Sequence, residues 1–176
     1  DYLVTLGIAP TFPATGYGYI QRGELLPENF NYPAYVVSRF KEKPDEAAAR
    51  GMIQSGDHSW NSGMFIWKTE RILAEFALQM PELKTTLDQI AAAWDTPARA
   101  ETLASLWHTL KNETIDYGIM EDAKRVAVIP AAGLEWSDIG SWDALFDVIM
   151  PDQYGNVIAS GQLLPFDTHN SLVYGN

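Results

Sequence analysis

The sequence contains no cysteine and only three histidines among its 176 residues. Without cysteine the chain forms no disulfide, no zinc–thiolate site and no cysteine nucleophile. His58, His108 and His169 are widely spaced, and their positions indicate neither a metal site nor a histidine-driven hydrolase. Any chemistry of this chain therefore depends on carboxylates, amides, hydroxyls and ammonium groups.

Long apolar runs and basic residues are also scarce. No stretch approaches the roughly 20 apolar residues that span a bilayer, and the first four residues lack the basic flank of a secretory signal. Lysine and arginine total 12 against 23 acidic residues, and the formal net charge of −11 repels nucleic-acid phosphates. We expect a cytoplasmic protein with no membrane or nucleic-acid partner, in which an anionic ligand meets a local cationic pocket.

The length is that of one domain, which we expect to cover residues 1–176 and to bury a core without metal or disulfides. Six tryptophans are many for this length. Their indole rings can fill a core or stack on sugar rings, and the sequence leaves both interpretations open.

Strands and helices alternate along the chain, which predicts an α/β fold with a mixed sheet. Strands are expected over Tyr35–Lys41 and Met64–Trp67, with a helix between Pro44 and Gly56. Further expected elements are two amphipathic helices between Thr69 and Trp94 broken at Pro81, a helix after an N-cap at Thr96, a helix over 115–123, a strand over 125–130, a helix over 142–150 capped by Ser141, and short strands between Asn156 and Tyr174.

A carboxylate and an ammonium group follow the strand that ends at Lys41. Pro44 favours an extended Lys43, so Glu42 and Lys43 point outward from the strand end. A carboxylate can accept two sugar hydroxyls while a lysine meets a phosphate, so the pair suits a sugar phosphate. A solvated surface pair fits the same spacing.

Two other segments suit a small polar ligand. Asn61 lies in Trp60–Gly63, and its side-chain amide can donate to and accept from neighbouring hydroxyls, although an ordinary polar turn fits equally. Gly18 lies in Thr15–Ile20, where a glycine can let the backbone approach a ligand closely. A hairpin or a bend in the sheet explains the glycine equally well.

Acidic residues in two later segments are candidates for the same site. Asp138 lies between Trp136 and Trp142, where it can hold Mg²⁺ beside a triphosphate, cap a helix or close an Asx-turn. Asp116 and Glu121 can face the same cleft or can be ordinary solvated acids on a helix surface.

Five short segments follow one another along nearly the whole chain. They are Gly16–Ile20, Phe40–Pro44, Trp60–Phe65, Ile115–Tyr117 and Trp136–Trp142. In this order they resemble the mannose-1-phosphate guanylyltransferase family. Each segment alone is weak, but five ordered matches are hard to obtain by chance.

The resemblance implies a partial nucleotide-diphospho-sugar transferase domain, a Rossmann-like α/β sandwich with a mixed sheet. It implies GTP-binding, a role in nucleotide-sugar biosynthesis, and the formation of GDP-mannose and pyrophosphate from mannose 1-phosphate and GTP, with Mg²⁺ as cofactor. The resemblance also implies a role for each matching residue. Glu42 binds sugar hydroxyls, Lys43 binds the sugar phosphate, and Asn61 and the Gly18 backbone bind the mannose. Asp138 binds the metal, and Trp136 closes the sugar pocket.

One feature of the family has no counterpart in this sequence. The family opens with a glycine-rich segment containing Gly-Thr-Arg and a following lysine, which cradles the nucleotide phosphates, and its other metal-binding aspartate belongs to the same half. We therefore expect the chain to be the sugar-side fragment, inactive alone. A sheet divided in this way exposes strand edges, which predicts a homo-oligomer or coverage of the edge by a rearranged segment.

Three other functions are compatible with the sequence. The site can serve a pyrophosphorylase for another sugar 1-phosphate or another nucleotide. The chain can be a non-catalytic module that binds or senses a sugar phosphate. The apolar helices between Thr69 and Leu110 also suit a purely structural interaction protein.

Overall fold

A computed structural model describes residues 2–27, 30–134 and 136–175. The chain divides into two compact units, Asp1–Gly133 and Leu134–Asn176. Each unit is described by itself. Among the described residues, no helix has both the length and the apolar character needed to cross a membrane.

The described part of the first unit contains five strands, four α-helices and two single helical turns. The strands are β1 (Leu3–Ile8), β2 (Tyr19–Leu25), β3 (Tyr35–Lys41), β4 (His58–Ile66) and β5 (Val126–Pro130). The helices are α1 (Glu46–Ser55), α2 (Thr69–Gln79), α3 (Pro81–Ala93) and α4 (Arg99–Leu106), followed by a 3₁₀ turn at Trp107–Thr109 and a π-helical turn, the π turn, at Asp116–Met120.

The five strands form one mixed sheet that closes on itself in the order β1, β4, β2, β3, β5. Only β1 and β5 run parallel, and the other described pairs are antiparallel. The mixed α/β fold expected from the sequence is thus confirmed. The expected open edge is not found in the described part of this sheet, because Tyr35 and Val36 of β3 pair with β5 at Val128 and Ala127.

Alternating side chains bury apolar groups on both faces of the sheet. On β5, Val126 and Val128 point to one face and Ala127 to the other. The first face carries the larger cluster, in which strand residues pack against α2 and the π turn. Its buried members are Leu3, Ile20, Phe40, Ile72, Ile119, Met120, Val126 and Val128.

Several local signals have the predicted effect. The Asp45 carboxylate caps α1 by accepting a hydrogen bond from the Ala48 N–H at 2.8 Å, and Gly56 ends the helix with a φ of 75°. Pro81 separates α2 from α3 and begins the second helix. Strand β5 and the helical turn after Ile115 also occur where the sequence predicts them.

Other local predictions are wrong. The segment Trp60–Gly63 lies inside β4 and is not a separate turn. Thr96 is not the N-cap of α4, which begins at Arg99, although the Thr96 hydroxyl accepts a hydrogen bond from the Ala98 N–H. The expected helix over 142–150 is reduced to α5 (Leu145–Val148) and has no cap from Ser141.

The described part of the second unit contains α5 and a two-stranded parallel sheet of β6 (Val157–Ser160) and β7 (Leu172–Tyr174). These strands fit the predicted short strands of the tail. Their connection is fixed by Asn156, whose amide donates to the Thr168 carbonyl at 3.0 Å and accepts from the Ser171 N–H at 3.1 Å. This residue is 1% exposed, so its hydrogen bonds replace those to water.

The core makes a direct prediction about stability. Leu3→Ala removes a fully buried side chain from the larger cluster, and we expect it to lower the free energy of unfolding by about 2–5 kcal/mol. Leu78→Ala is the matched control, because Leu78 is 75% exposed and its truncation should change stability by less than about 0.5 kcal/mol. Urea denaturation measures both. Equal losses in the two variants would contradict the assignment of the core.

Candidate functional site

Asn61 connects four parts of the first unit. Its backbone N–H donates to the Gly18 carbonyl at 2.7 Å, just before β2. Its side-chain Oδ1 accepts from the Thr5 hydroxyl of β1 at 3.0 Å and from the Gly63 N–H at 3.2 Å. Its Nδ2 donates to Oδ1 of Asp116, in the π turn, at 3.0 Å. Among the described contacts, one N–H of the Asn61 amide therefore remains for a ligand.

An irregularity of β4 places Asn61 in this position. Thr5 pairs with Phe65 and Gly7 pairs with Asn61, so a two-residue step on β1 corresponds to a four-residue step on β4. The extra residues form a bulge, and Gly63 within it has a φ of 73°. Bulges re-aim side chains at strand ends, and glycine accepts this backbone conformation without strain.

Glu42 follows the last residue of β3 and points inward. Its side chain is 12% exposed, and its Oε2 is buried without a hydrogen-bond partner among the described residues. Its backbone N–H donates to Oε1 of Glu121 at 3.2 Å. A Cβ added to Gly18 would lie 2.3 Å from Oε2, so a larger residue there would displace this carboxylate from its present position.

Lys43 points away from the same strand end. Its side chain is 60% exposed, and its Nζ lies 3.9 Å from Oε1 of Glu42. Lys43 has a φ of 44° and so is not extended as predicted, although Pro44 follows it. The pair is therefore not simply a solvated surface pair, because the carboxylate is enclosed and only the ammonium group is exposed.

The acids of this site lie close enough to affect one another. Burial raises the pKa of Glu42, and the negative charges of Asp116 and Glu121 raise it further, while Lys43 lowers it. Burial also raises the pKa of Asp116, against the hydrogen bond from Asn61. Partly buried carboxylates without enough donors are stabilised by hydroxyl groups that donate hydrogen bonds to them.

The arrangement suits a small ligand with hydroxyls at one end and a negative charge at the other. Within the described residues, Glu42 Oε2 is an acceptor without a donor, Asn61 retains one donor, and Lys43 offers a mobile positive charge. The chain brings together four of the predicted site residues, Gly18, Glu42, Lys43 and Asn61, and places beside them the two acids, Asp116 and Glu121, that the sequence offered for the same cleft. Such a site can bind and orient a sugar phosphate.

The other predicted site residues, Trp136 and Asp138, belong to the second unit. Asp138 is exposed in an irregular segment, and both of its carboxylate oxygens lie within 4 Å of a Cβ built on Gly140. No group of three or more acids or histidines suited to a metal ion occurs in the described ranges. Asp138 alone is one carboxylate, which fits Mg²⁺ only where phosphate oxygens and water supply the remaining ligands.

The contacts of Thr5 and Glu121 with the site were not predicted from the sequence. Thr5 is fully buried in β1, a strand that the sequence analysis did not predict, so no pattern indicated its contact with Asn61. Glu121 was predicted either to face the same cleft or to be a solvated acid on a helix surface, but its partner was not predicted. Its bond to the Glu42 backbone joins residues 79 positions apart, a contact that no local pattern indicates.

A second polar cluster resembles a triad only in composition. Asp57 Oδ1 accepts from the Ser55 hydroxyl at 2.5 Å and lies 2.7 Å from Nδ1 of His58. Ser55 Oγ also lies 2.8 Å from the same His58 nitrogen. A triad needs the serine and the acid on opposite ring nitrogens, so this cluster is a local network that closes the turn after α1.

A cleft of about 1090 Å³ lies apart from the four predicted residues. It is lined by the end of α2, the start of α3 and part of the π turn, including Leu78, Met80 and Tyr117. Basic and acidic side chains line it together, among them Lys111 and Glu113, which pair with each other at 2.5 Å. The size of this cleft alone does not assign it a ligand.

The fold is that of an α/β protein, and its carboxylate-rich cluster is suited to a small ligand. The family model for nucleotidyl transferases matches residues 1–154. The chain belongs to this nucleotidyl transferase family, which is a family of enzymes.

Individual relatives agree with this assignment. A mannose-1-phosphate guanylyltransferase of Klebsiella pneumoniae is 40% identical over 162 residues, covering 90% of this chain and 33% of the relative. One of Escherichia coli is 35% identical over 176 residues, covering 98% of this chain and 37% of the relative. The chain thus spans about a third of the length of these relatives.

A solved structure has a similar fold. It is described as a mannose-1-phosphate geranyltransferase from Thermus thermophilus and superposes with a TM-score of 0.68 at 34% identity. The match covers 89% of this chain and 42% of that structure.

The pKa shifts predict opposite effects of two substitutions on stability. The pKa of Glu42 is higher in the folded protein than in the unfolded chain, so the folded state binds this proton more tightly. The free energy of unfolding therefore falls as the pH rises from 4.5 through the raised pKa. Glutamine does not titrate, so the Glu42→Gln variant does not show this loss. The free energy of unfolding of the variant should therefore increase relative to that of wild type as the pH rises across the same interval. Hydrogen bonds from Gln21 and Ser55 lower the pKa of Asp57, so Asp57→Asn should be destabilising at neutral pH and approach wild type in acid.

Urea denaturation between pH 2 and pH 8 measures both variants, because the change expected for Asp57→Asn begins only below the usual pKa of 3.8. The two stability differences should change with pH in opposite directions. A Glu42→Gln variant that loses stability relative to wild type as the pH rises would contradict the buried environment of this carboxylate.

Proposed function

We propose that the first unit binds mannose 1-phosphate and that the chain serves a mannose-1-phosphate guanylyltransferase, which forms GDP-mannose and pyrophosphate from mannose 1-phosphate and GTP. The names of the similar proteins support this substrate pair. The observation that carries the proposal is Oε2 of Glu42, which is buried without a partner among the described residues, enclosed beside Gly18 and next to the exposed Lys43.

Each residue has a role that follows from its surroundings. Glu42 accepts hydrogen bonds from sugar hydroxyls, since no described residue donates to its Oε2. Lys43 binds the sugar phosphate with its exposed ammonium group. Asn61 donates its remaining N–H to the sugar, and Gly18 lets the sugar and the carboxylate approach the backbone.

The reaction requires orientation and neutralisation of charge more than a protein nucleophile. A phosphate oxygen of mannose 1-phosphate forms a bond to the α-phosphorus of GTP, and the bond from that phosphorus to pyrophosphate breaks. Lys43 holds the attacking phosphate and offsets part of its charge. Asp138 would be one ligand of Mg²⁺, which when bound neutralises phosphate charge.

Calorimetric titration of the chain with mannose 1-phosphate and glucose 1-phosphate tests the proposal. We expect selective binding of the mannose compound, weakened by about 1.5–3 kcal/mol in Lys43→Ala because a charged hydrogen bond is lost. Lys84→Ala is the matched control, since Lys84 pairs with Asp88 on α3. Glu42→Gln should also weaken binding, whereas the exposed Glu24→Gln should not.

The outcomes separate the competing functions. Equal binding of both sugar phosphates would favour a pyrophosphorylase for another sugar. Binding by wild type and by Lys43→Ala with the same affinity would contradict the proposed site. The absence of any sugar-phosphate binding would contradict the proposal and favour an interaction protein.

Gly18 allows a second, steric test. In Gly18→Ala the new Cβ would lie 2.3 Å from Oε2 of Glu42, so the carboxylate must move, and binding of mannose 1-phosphate should weaken at least about tenfold. Gly16→Ala is the matched control, because no described atom lies within 4 Å of its Cβ position. Isothermal titration of the two variants measures the effect, and equal affinities would show that Glu42 does not need its present position.

A further inference from the structure

The side chain of Asp116 has a partner that lies within the proposed sugar site. Its Oδ1 accepts the Nδ2–H of Asn61 at 3.0 Å. On the other side of the same amide, Asn61 Oδ1 accepts from the Thr5 hydroxyl at 3.0 Å and from the Gly63 N–H at 3.2 Å. The amide is therefore held between donors on one side and an acceptor on the other.

This arrangement selects one of the two orientations that the amide could adopt. A flipped amide would place Nδ2 against the Gly63 N–H, two donors facing each other, and Oδ1 against the Asp116 carboxylate, two acceptors facing each other. The Thr5 hydroxyl can rotate and accept as well as donate, so it does not decide the orientation alone. The Asp116 carboxylate and the Gly63 N–H therefore determine the orientation of the amide. Of these two groups only the Asp116 carboxylate belongs to a side chain, so only it can be removed by substitution.

Resting on the function proposed above, we propose that Asp116 is a positioning residue for the sugar end of the site. It fixes the orientation of the Asn61 amide and so presents the second Nδ2–H of Asn61 as a donor to a sugar hydroxyl. Asp116 thereby strengthens binding of the sugar and leaves binding of the phosphate to Lys43. The contact joins the π turn to β4 across 55 residues of sequence.

The structural role of Asp116 can be separated from this positioning role. The backbone of Asp116 maintains the π turn, because its carbonyl accepts the Glu121 N–H at 3.0 Å. Substitution of the side chain leaves this bond in place. Asp122, which is exposed two residues after the π turn, provides a control for the charge of this region.

The test compares mannose 1-phosphate with inorganic phosphate as ligands of the chain. Asp116→Ala should weaken mannose 1-phosphate about tenfold and change the affinity for phosphate less than about twofold, because one oriented hydrogen bond to the sugar is lost. Asp116→Asn, whose side-chain oxygen can still accept from Asn61, should restore most of the affinity. Asp122→Ala should bind both ligands as wild type does.

The proposal would be overturned if Asp116→Ala bound mannose 1-phosphate as tightly as wild type, or if both ligands weakened equally. If wild type binds mannose 1-phosphate and Lys43→Ala does not, either of these outcomes for Asp116→Ala contradicts only the positioning role of Asp116 and not the proposed function. When wild type shows no selectivity for mannose 1-phosphate, the proposed function fails and the positioning role fails with it.

A nuclear magnetic resonance measurement on wild type keeps the proposal testable if Asp116→Ala does not fold. The Asn61 Nδ2 proton that bonds to Asp116 should shift as that carboxylate titrates, and the titration should disappear in Asp116→Asn. Thr5→Val, which removes the hydroxyl donor while keeping the shape, should leave this titration in place, because Asp116 and Gly63 still fix the amide. A pH-independent Nδ2 signal in wild type would contradict the proposal.

Discussion

The hydrogen bonds of Asn61 hold the site together, because this one residue joins β1, the start of β2, β4 and the π turn. It is 8% exposed, so each of its bonds replaces one to water and is costly to break. The bulge in β4 supplies the extra residues that bring Asn61 opposite Gly7. Through these contacts the closed sheet positions side chains that are far apart in sequence.

The different burial of Glu42 and Lys43 gives this framework its chemistry. The enclosed carboxylate lacks a donor among the described residues, and burial and the neighbouring acids raise its pKa, so a ligand with hydroxyls relieves an unfavourable environment. The ammonium group one residue later keeps most of its exposure and can follow a phosphate. A strand end that separates the two groups in this way suits molecules that carry both hydroxyls and a negative charge.

The sequence predicted features that depend on local chemistry, such as the capped α1, the break at Pro81 and the strand β5. It indicated Glu42, Lys43 and Asn61 as candidate ligands because short motifs contain them. It did not predict β1 or the contact between Thr5 and Asn61, which are 56 positions apart. It also overestimated the helix after Ser141, because amphipathic spacing cannot show whether tertiary packing supports a helix.

The most direct test of the account is a titration of isotope-labelled chain with mannose 1-phosphate, followed by backbone amide chemical shifts. The account predicts that the largest changes occur at Gly18, Glu42, Lys43 and Asn61, with smaller changes in the π turn. Changes concentrated in the cleft beside Leu78 and Met80, with none at Glu42 or Asn61, would contradict the assignment of the sugar site.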